Sequence, residues 1–312
     1  MTAAQQQKTG LMEGEKSFLR ALLYFDIFNY PLTEEEIVRF STSSIPFSSG
    51  KILEQLISHG LVFKLGQFYS VQSDITLSNR RILGNKLAKE RMQSAKTYSK
   101  LVASFPFVKA VMLSGSLSKG FMDEKSDIDY FIITDPDRLW VVRSALAIFR
   151  RLFLFNSHKN LCTNYFIDTE NLAIPDRNYF TAIEFCTLVP MYGEKTIQDF
   201  RSANGWVESF LPACHLRSIE SDDKAYQIKN ILRKSLPQNL LSKLNLRLME
   251  ATIKYWKRKY AGPLNDADFE VAFRSRPGVS KSHPQFFQKK VLNRLSEKMK
   301  LFQEQHGVDL SL

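Results

Sequence analysis

Residues 114–134, SGSLSKGFMDEKSDIDYFIIT, constrain the fold of this chain more than any other stretch. The apolar run VKAVML (108–113) leads into Ser114-Gly115-Ser116, and a second run, YFII (130–133), follows Asp127-Ile128-Asp129. Both runs are short, continuous and bounded by turn residues, which is the pattern of strands covered on both faces. In a strand, residues i and i+2 point to one face, so Asp127 and Asp129 project together while Ile128 and Tyr130 take the other. Two adjacent carboxylates repel each other unless a cation lies between them. A hard divalent ion, Mg2+ (or Mn2+), takes oxygen ligands and suits that gap. Gly115-Ser116 is expected to open a helix directly after the strand that ends at Ser114. Backbone N–H groups at such a helix start, with glycine allowing close approach, make a cradle for phosphate, and Lys119 lies one turn further on.

The rest of the chain alternates around this core. Lys16 to Asn29 reads as a helix with an apolar face, Thr33 and Glu36 form a capping-box pattern before a second helix, and Lys51–His59 makes a third, closed by Gly60. LVFKLGQFYSV (61–71) reads as a hairpin turning at Lys64–Gln67. Residues 77–103 form a long basic helix in which Gly84 is a weak point. A helix is expected from Asp137 to Phe155, a strand over CTNYFI (162–167), and a helix from Tyr179 to Met191. This alternation predicts an α/β layer. Beyond Gly205 only helices are expected, over 224–260 and 284–306, separated by the turn-rich SRPGVSKSHP.

LSGS (113–116) followed by DIDY (127–130) resembles the nucleotidyltransferase superfamily typified by DNA polymerase β, which also includes kanamycin nucleotidyltransferase and poly(A) polymerases. The motif spans about 25 residues, and the strand–helix order agrees over roughly 100. The resemblance implies an α/β (α+β) nucleotidyltransferase-type core with a mixed sheet. It implies transfer of a nucleoside monophosphate from a nucleoside triphosphate to an acceptor hydroxyl or phosphate, with release of pyrophosphate. Asp127 and Asp129 would then hold the metal, while Ser114, Gly115, Ser116 and Lys119 would bind the phosphates. The superfamily usually supplies a third carboxylate from a later strand. Asp168, ending CTNYFID, is the candidate for it, and an aspartate starting a turn is the competing reading. Arg274, Arg276, Lys281 and His283 gather in one segment and could clamp phosphates. Glu184, the only charge in TAIEFCTLVPMYG (181–193), reads as a structural hydrogen-bond acceptor. Lys254–Tyr260, KYWKRKY, mixes cations with aromatics that could stack on a single strand or join the core.

The segment before this core, three helices and a hairpin, resembles a winged helix-turn-helix module. Boundaries follow composition: a tail at 1–12, the winged-helix-like module at 13–75, a basic linker helix at 76–104, the α/β domain at 105–204 and a basic helical domain at 205–312. The chain carries net charge +11, yet residues 13–75 are net −3 and residues 224–312 hold +11. Affinity for duplex DNA comes mainly from cations meeting phosphates, so duplex binding through the acidic module is not expected. The basic C-terminal third fits a nucleoside triphosphate together with an acceptor that is a small molecule, a protein or an RNA end. A nucleotide-sensing or DNA-binding regulator with a catalytically silent domain is the alternative. The three cysteines and the absence of an apolar leader or long apolar window point to a cytoplasmic, reducing setting with no membrane span. The five histidines show no metal-ligand spacing, and neither a Walker A sequence nor a GxSxG elbow is present.

Overall fold

The structure is a computed structural model that describes residues 11–44, 49–215, 237–260, 269, 272–282 and 287–310. It begins with α1 (Glu13–Asp26), α2 (Glu34–Arg39) and α3 (Ser49–Ser58), followed by the hairpin strands β1 (Phe63–Leu65) and β2 (Phe68–Ser70). The capping box forms: Glu36 N–H donates to Thr33 Oγ1 at 3.3 Å, and Thr33 N–H donates to Glu36 Oε2 at 3.0 Å. The hairpin turns at Gly66, whose φ of +68° needs no side chain. An isolated bridge ties Leu32 to Tyr69.

Helix α1 is buried around most of its circumference, Ser17 to Asp26 without interruption. A helix apolar all round must be covered on more than one side. Here α2, α3 and β2 lie against it, and Tyr24 also packs edge-on to Tyr179 at 5.3 Å. One apolar cluster therefore runs from Phe18 and Phe25 to Met112, Phe131 and Ile167 of the sheet described below.

Helix α4 (Ile75–Ser104) is unbroken at Gly84. A Cβ there would lie 2.1 Å from the Phe121 ring, so the missing side chain admits that ring against the helix backbone. Strand β3 (Val108–Ser114), the single turn α5 (Gly115–Ser118), β4 (Asp129–Thr134), α6 (Leu139–Phe153) and β5 (Cys162–Asp168) follow. Helix α7 (Tyr179–Thr187) stops short of the expected Met191, and Val189–Tyr192 is a strand, β6. Pro190 explains the difference: it cannot donate within a helix and holds the residue before it extended. Helices α8 (Glu194–Ser202), α9 (Val207–Phe210) and α10 (Gln238–Lys259) come next. Then come β7 (Ser275–Arg276), β8 (Val279–Lys281) and α11 (Phe287–His306).

The sheet order is β6-β3-β4-β5-β8-β7, with β4 and β5 parallel and the other pairs antiparallel. The expectation of a strand-free C-terminal third is thus corrected: β7 and β8 extend the sheet along β5. Such two- and three-residue strands carry no period of their own, and Tyr165–Ile167 template them from more than 100 residues away. Helices α4, α6 and α10 cover one face of the sheet, and α1, α7, α8 and α11 the other. The described C-terminal elements therefore divide between the two faces.

Candidate active site

The motif closes on itself through the β3–β4 ladder, whose last pair is Ser114 with Asp129. The strand end and the second aspartate are thus direct neighbours, though 15 positions apart in sequence. Gly115 has φ +67°, and a Cβ there would lie 2.3 Å from Asp129 Oδ2. Only glycine satisfies both the left-handed backbone and that contact. Ser118 Oγ and Lys119 Nζ donate to the Gly115 carbonyl at 2.8 and 3.1 Å, which fixes the turn. From the N-terminal elements, Tyr30 O–H donates to the Lys119 carbonyl at 2.5 Å.

Asp129 is held from β5 as well. The β4–β5 register runs Asp129–Cys162, Tyr130–Thr163, then Phe131–Tyr165, leaving Asn164 as an extra residue on β5. Such a bulge re-aims a side chain. Here it delivers the Asn164 amide, which donates to Asp129 Oδ1 at 2.9 Å. Burial pushes the Asp129 carboxyl up to about 6; the Cys162 thiol and Lys119 pull it down, and Asp127 and Glu184 push it further up. Burial and the same two aspartates raise the Cys162 thiol to about 12, so it stays a neutral donor.

A cleft of about 1080 Å³ opens over this corner. Ser114, Gly115, Ser116, Lys119, Asp127 and Asp129 line it together. The opposite wall is the Phe180, Thr181, Glu184 and Leu188 face of α7, together with the start of α11. Phe25, Phe28, Tyr30 and Arg80 close it from the N-terminal side. The cleft therefore lies between the sheet, α7, α11 and the N-terminal helices. Across it, Glu184 Oε1 meets Lys119 Nζ at 2.9 Å. Glu184 is the residue that sequence reasoning undervalued, and its isolation on an apolar helix face was the available signal.

Arg274 and Lys281 also reach the cleft, where Asp176 binds both. Arg274 grips it with two bonds of 2.9 Å and Lys281 Nζ lies 3.2 Å away. Burial pushes Asp176 up, but the hydrogen bond from Arg274 and the Lys281 charge outweigh it and hold the carboxyl below its ordinary value. Arg276 does not join them. It is exposed on β7, paired with Val279 at the turn end of the hairpin, and its carbonyl accepts from Trp140 Nε1 at 2.9 Å. His283 lies outside the described residues.

Asp168 is separated from the aspartate pair, and the expectation of a third carboxylate there is corrected. It pairs with Thr134, five steps along β4 from Asp129, a distance of about 16 Å at strand rise. Its Oδ1 accepts from Asn171 Nδ2 at 2.7 Å and Glu170 N–H at 3.1 Å, and Gly278 packs against its Oδ2. Asp168 thus anchors a turn at the far end of the sheet.

Among the described residues, no group of three or more His, Cys, Asp or Glu side chains could hold a metal ion. The pair Asp127 and Asp129 nonetheless fits Mg2+ or Mn2+. Magnesium is commonly bound by one or two carboxylates, with substrate phosphates and water completing its shell. Burial leads the rise of the Asp129 carboxyl and the Asp127 and Glu184 charges add to it, so a cation bound between the aspartates would offset that cost.

Residues 95–175, from the second half of α4 past the end of β5, match the family model of the nucleotidyltransferase domain. Neither the curated proteins nor the solved structures contain a match to the chain. No helix among the described residues is long and apolar enough to cross a membrane. The family match therefore falls on the stretch that carries the glycine turn, the aspartate pair and the strands that hold them, and it supports nucleoside-triphosphate-dependent group transfer.

Proposed function

We propose that this chain transfers a nucleoside monophosphate from a nucleoside triphosphate to an acceptor hydroxyl or phosphate and releases pyrophosphate. The observation that carries this reading is the contact of a left-handed Gly115 with Asp129 on the floor of the cleft. Ser114, Gly115 and Ser116 take the β- and γ-phosphates, and Lys119 neutralises charge beside them. Asp127 and Asp129 would hold Mg2+ or Mn2+, which would supply positive charge against the triphosphate when bound. Asn164 orients Asp129 through its amide. The acceptor oxygen forms a bond to the α-phosphorus as the bond to the pyrophosphate oxygen breaks. Glu184 faces the aspartates across the cleft and takes the acceptor proton, with Lys119 fixing its carboxylate. Arg274 and Lys281, already compensated by Asp176, shape the far wall.

A second reading is a nucleotide-sensing protein without turnover. It is favoured by Asn164, an amide that occupies the position beside Asp129 on the neighbouring strand. Isothermal titration with each nucleoside triphosphate, with and without Mg2+, tests both readings on the wild type and on D127A/D129A. Metal-dependent binding that disappears in the variant is the expected result. Pyrophosphate release in an acceptor screen then separates transfer from sensing. A folded wild type that binds none of the triphosphates would overturn both.

A further inference from the structure

Outside the cleft, beside Asp127, the C-terminal end of α6 presents an apolar and cationic surface. Ile148, Leu152, Phe153 and Phe155 are 59%, 67%, 66% and 94% exposed. Phe155 sits at φ +49° and Asn156 at φ +60°. For a bulky residue that conformation is costly and persists only where its surroundings impose it. The imposing contacts are Asn156 N–H to the Arg150 carbonyl at 3.0 Å and Ser157 N–H to the Leu154 carbonyl at 2.8 Å. The result is an aromatic ring held out in water, next to Phe153, which stacks on Phe149 at 4.8 Å.

Cations surround these rings. Arg150, Arg151 and Lys159 come from the same stretch, with the neutral His158 ring between them, and Lys259 comes from α10, which packs on α6. Tyr255, 58% exposed, lies one turn before Lys259 on the same face of α10. None of the four cations, Arg150, Arg151, Lys159 and Lys259, is in a salt bridge with a described carboxylate. Burial and the Arg150 charge hold the His158 ring below its ordinary value, Asp127 draws it up, and Lys259 adds to the lowering. The cluster is thus short of negative charge, whereas Lys119, Arg274 and Lys281 in the cleft are paired with Glu184 and Asp176. It also lies at the site's edge: Ile128, between the two aspartates, donates its N–H to the Lys159 carbonyl at 3.1 Å and accepts from Cys162 N–H at 3.0 Å.

We propose that this surface, formed by Phe153, Phe155, Arg151, Lys159, Tyr255 and Lys259, binds single-stranded RNA. Exposed rings stack on unpaired bases while cations track the phosphates. A duplex hides its base faces and leaves Phe153 and Phe155 nothing to stack on. Asn156 at the tip of the turn offers an amide donor and acceptor to a ribose 2′-hydroxyl, the group that marks RNA. The inference stands apart from nucleotidyl transfer, since it concerns a surface outside the cleft.

The test is fluorescence anisotropy with a labelled oligouridylate of about 12 nucleotides, a length within the range such platforms occupy. It uses the full chain with no nucleotide or metal, on wild type, F153A/F155A and R151E/K159E. Stacking is worth about 1–3 kcal/mol per base, so F153A/F155A should weaken binding at least about 25-fold with an unchanged melting temperature. R151E/K159E should flatten the salt dependence of binding. D127A/D129A should bind the oligonucleotide as the wild type does, which separates this surface from the nucleotide site. Wild-type affinity in F153A/F155A would overturn the proposal, as would equal affinity for the matching DNA strand or for a duplex. A wild-type dimer dispersed by the same two substitutions would also overturn it, assigning the patch to a second copy of the chain.

Discussion

Replacing Asp129 by asparagine should stabilise the metal-free protein, and the gain should depend on pH. The carboxyl is raised from 3.8 to about 6, first by burial and then by Asp127 and Glu184. The folded chain therefore keeps this proton to a higher pH than the unfolded chain, whose aspartate titrates near its ordinary value of about 3.9. Stability from this group is full below about pH 4, is lost as the pH rises through about 6, and is constant beyond. A difference of roughly two units at about 1.36 kcal/mol per unit gives close to 3 kcal/mol, reduced to about 2 kcal/mol by the water that reaches a half-buried group. An amide keeps the shape and still offers Oδ1 to Asn164. D129N should thus match the wild type at about pH 3.5 and exceed it by about 4 °C at about pH 8, at roughly 2 °C per kcal/mol for a chain of this size. Thermal melts in chelator at the two pH values measure this. Adding Mg2+ and a nucleoside triphosphate should reverse the order, because ligand at about a hundredfold its Kd adds about 2.7 kcal/mol to the wild type alone. A variant that gains nothing at the higher pH, or gains equally at both, would refute the assignment of Asp129 as a strained carboxylate awaiting a cation.

Four other substitutions probe the same corner or its support. G115A places a Cβ against Asp129 in left-handed backbone and should abolish triphosphate binding by calorimetry. G120A, also at positive φ but with open space around it, should cost only about 1–2 kcal/mol in denaturant melts and leave binding intact. E184Q keeps a hydrogen-bond acceptor for Lys119 but cannot take a proton, so kcat should fall about 10²–10⁴-fold at an unchanged triphosphate Kd. Arg81, buried on α4, donates to the Pro31 carbonyl at 2.7 Å and Glu36 Oε1 at 2.6 Å and lies 3.7 Å over the Tyr30 ring. R81M should cost about 2–3 kcal/mol by chemical denaturation and weaken triphosphate binding, since Tyr30 carries the hydrogen bond to the Lys119 carbonyl.

What was legible in the sequence was local. The capping box at Thr33, the hairpin at Gly66 and the buried runs at 108–113 and 130–133 each declare themselves within a few residues, and the structure holds an element at each. Gly84 misled for a related reason: a helix propensity describes an isolated helix, whereas here the Phe121 ring occupies the space a side chain would need. Strand β6 was hidden because Tyr179 to Met191 is largely apolar with Glu184 as its only charge, and such an apolar run does not distinguish helix from strand. Pro190 was the overlooked signal.

The third acid shows where such reading stops. In the sequence, Asp168 and Asn164 differ by four positions on one predicted strand, and only the aspartate carries a negative charge and can act as a base. The sheet decides otherwise, because β4 and β5 run parallel and start together, with Asp129 beside Cys162. Position along β5 then becomes depth in the sheet, which puts Asp168 at the end remote from the cleft. The bulge at Asn164 brings an amide to Asp129, and the acid facing the pair comes from α7, a helix on the other side of the cleft. Neither strand direction nor a one-residue bulge leaves a periodic trace, so the sequence can nominate acids without ranking them. The ranking comes from register, and register makes Glu184 the carboxylate to test before Asp168.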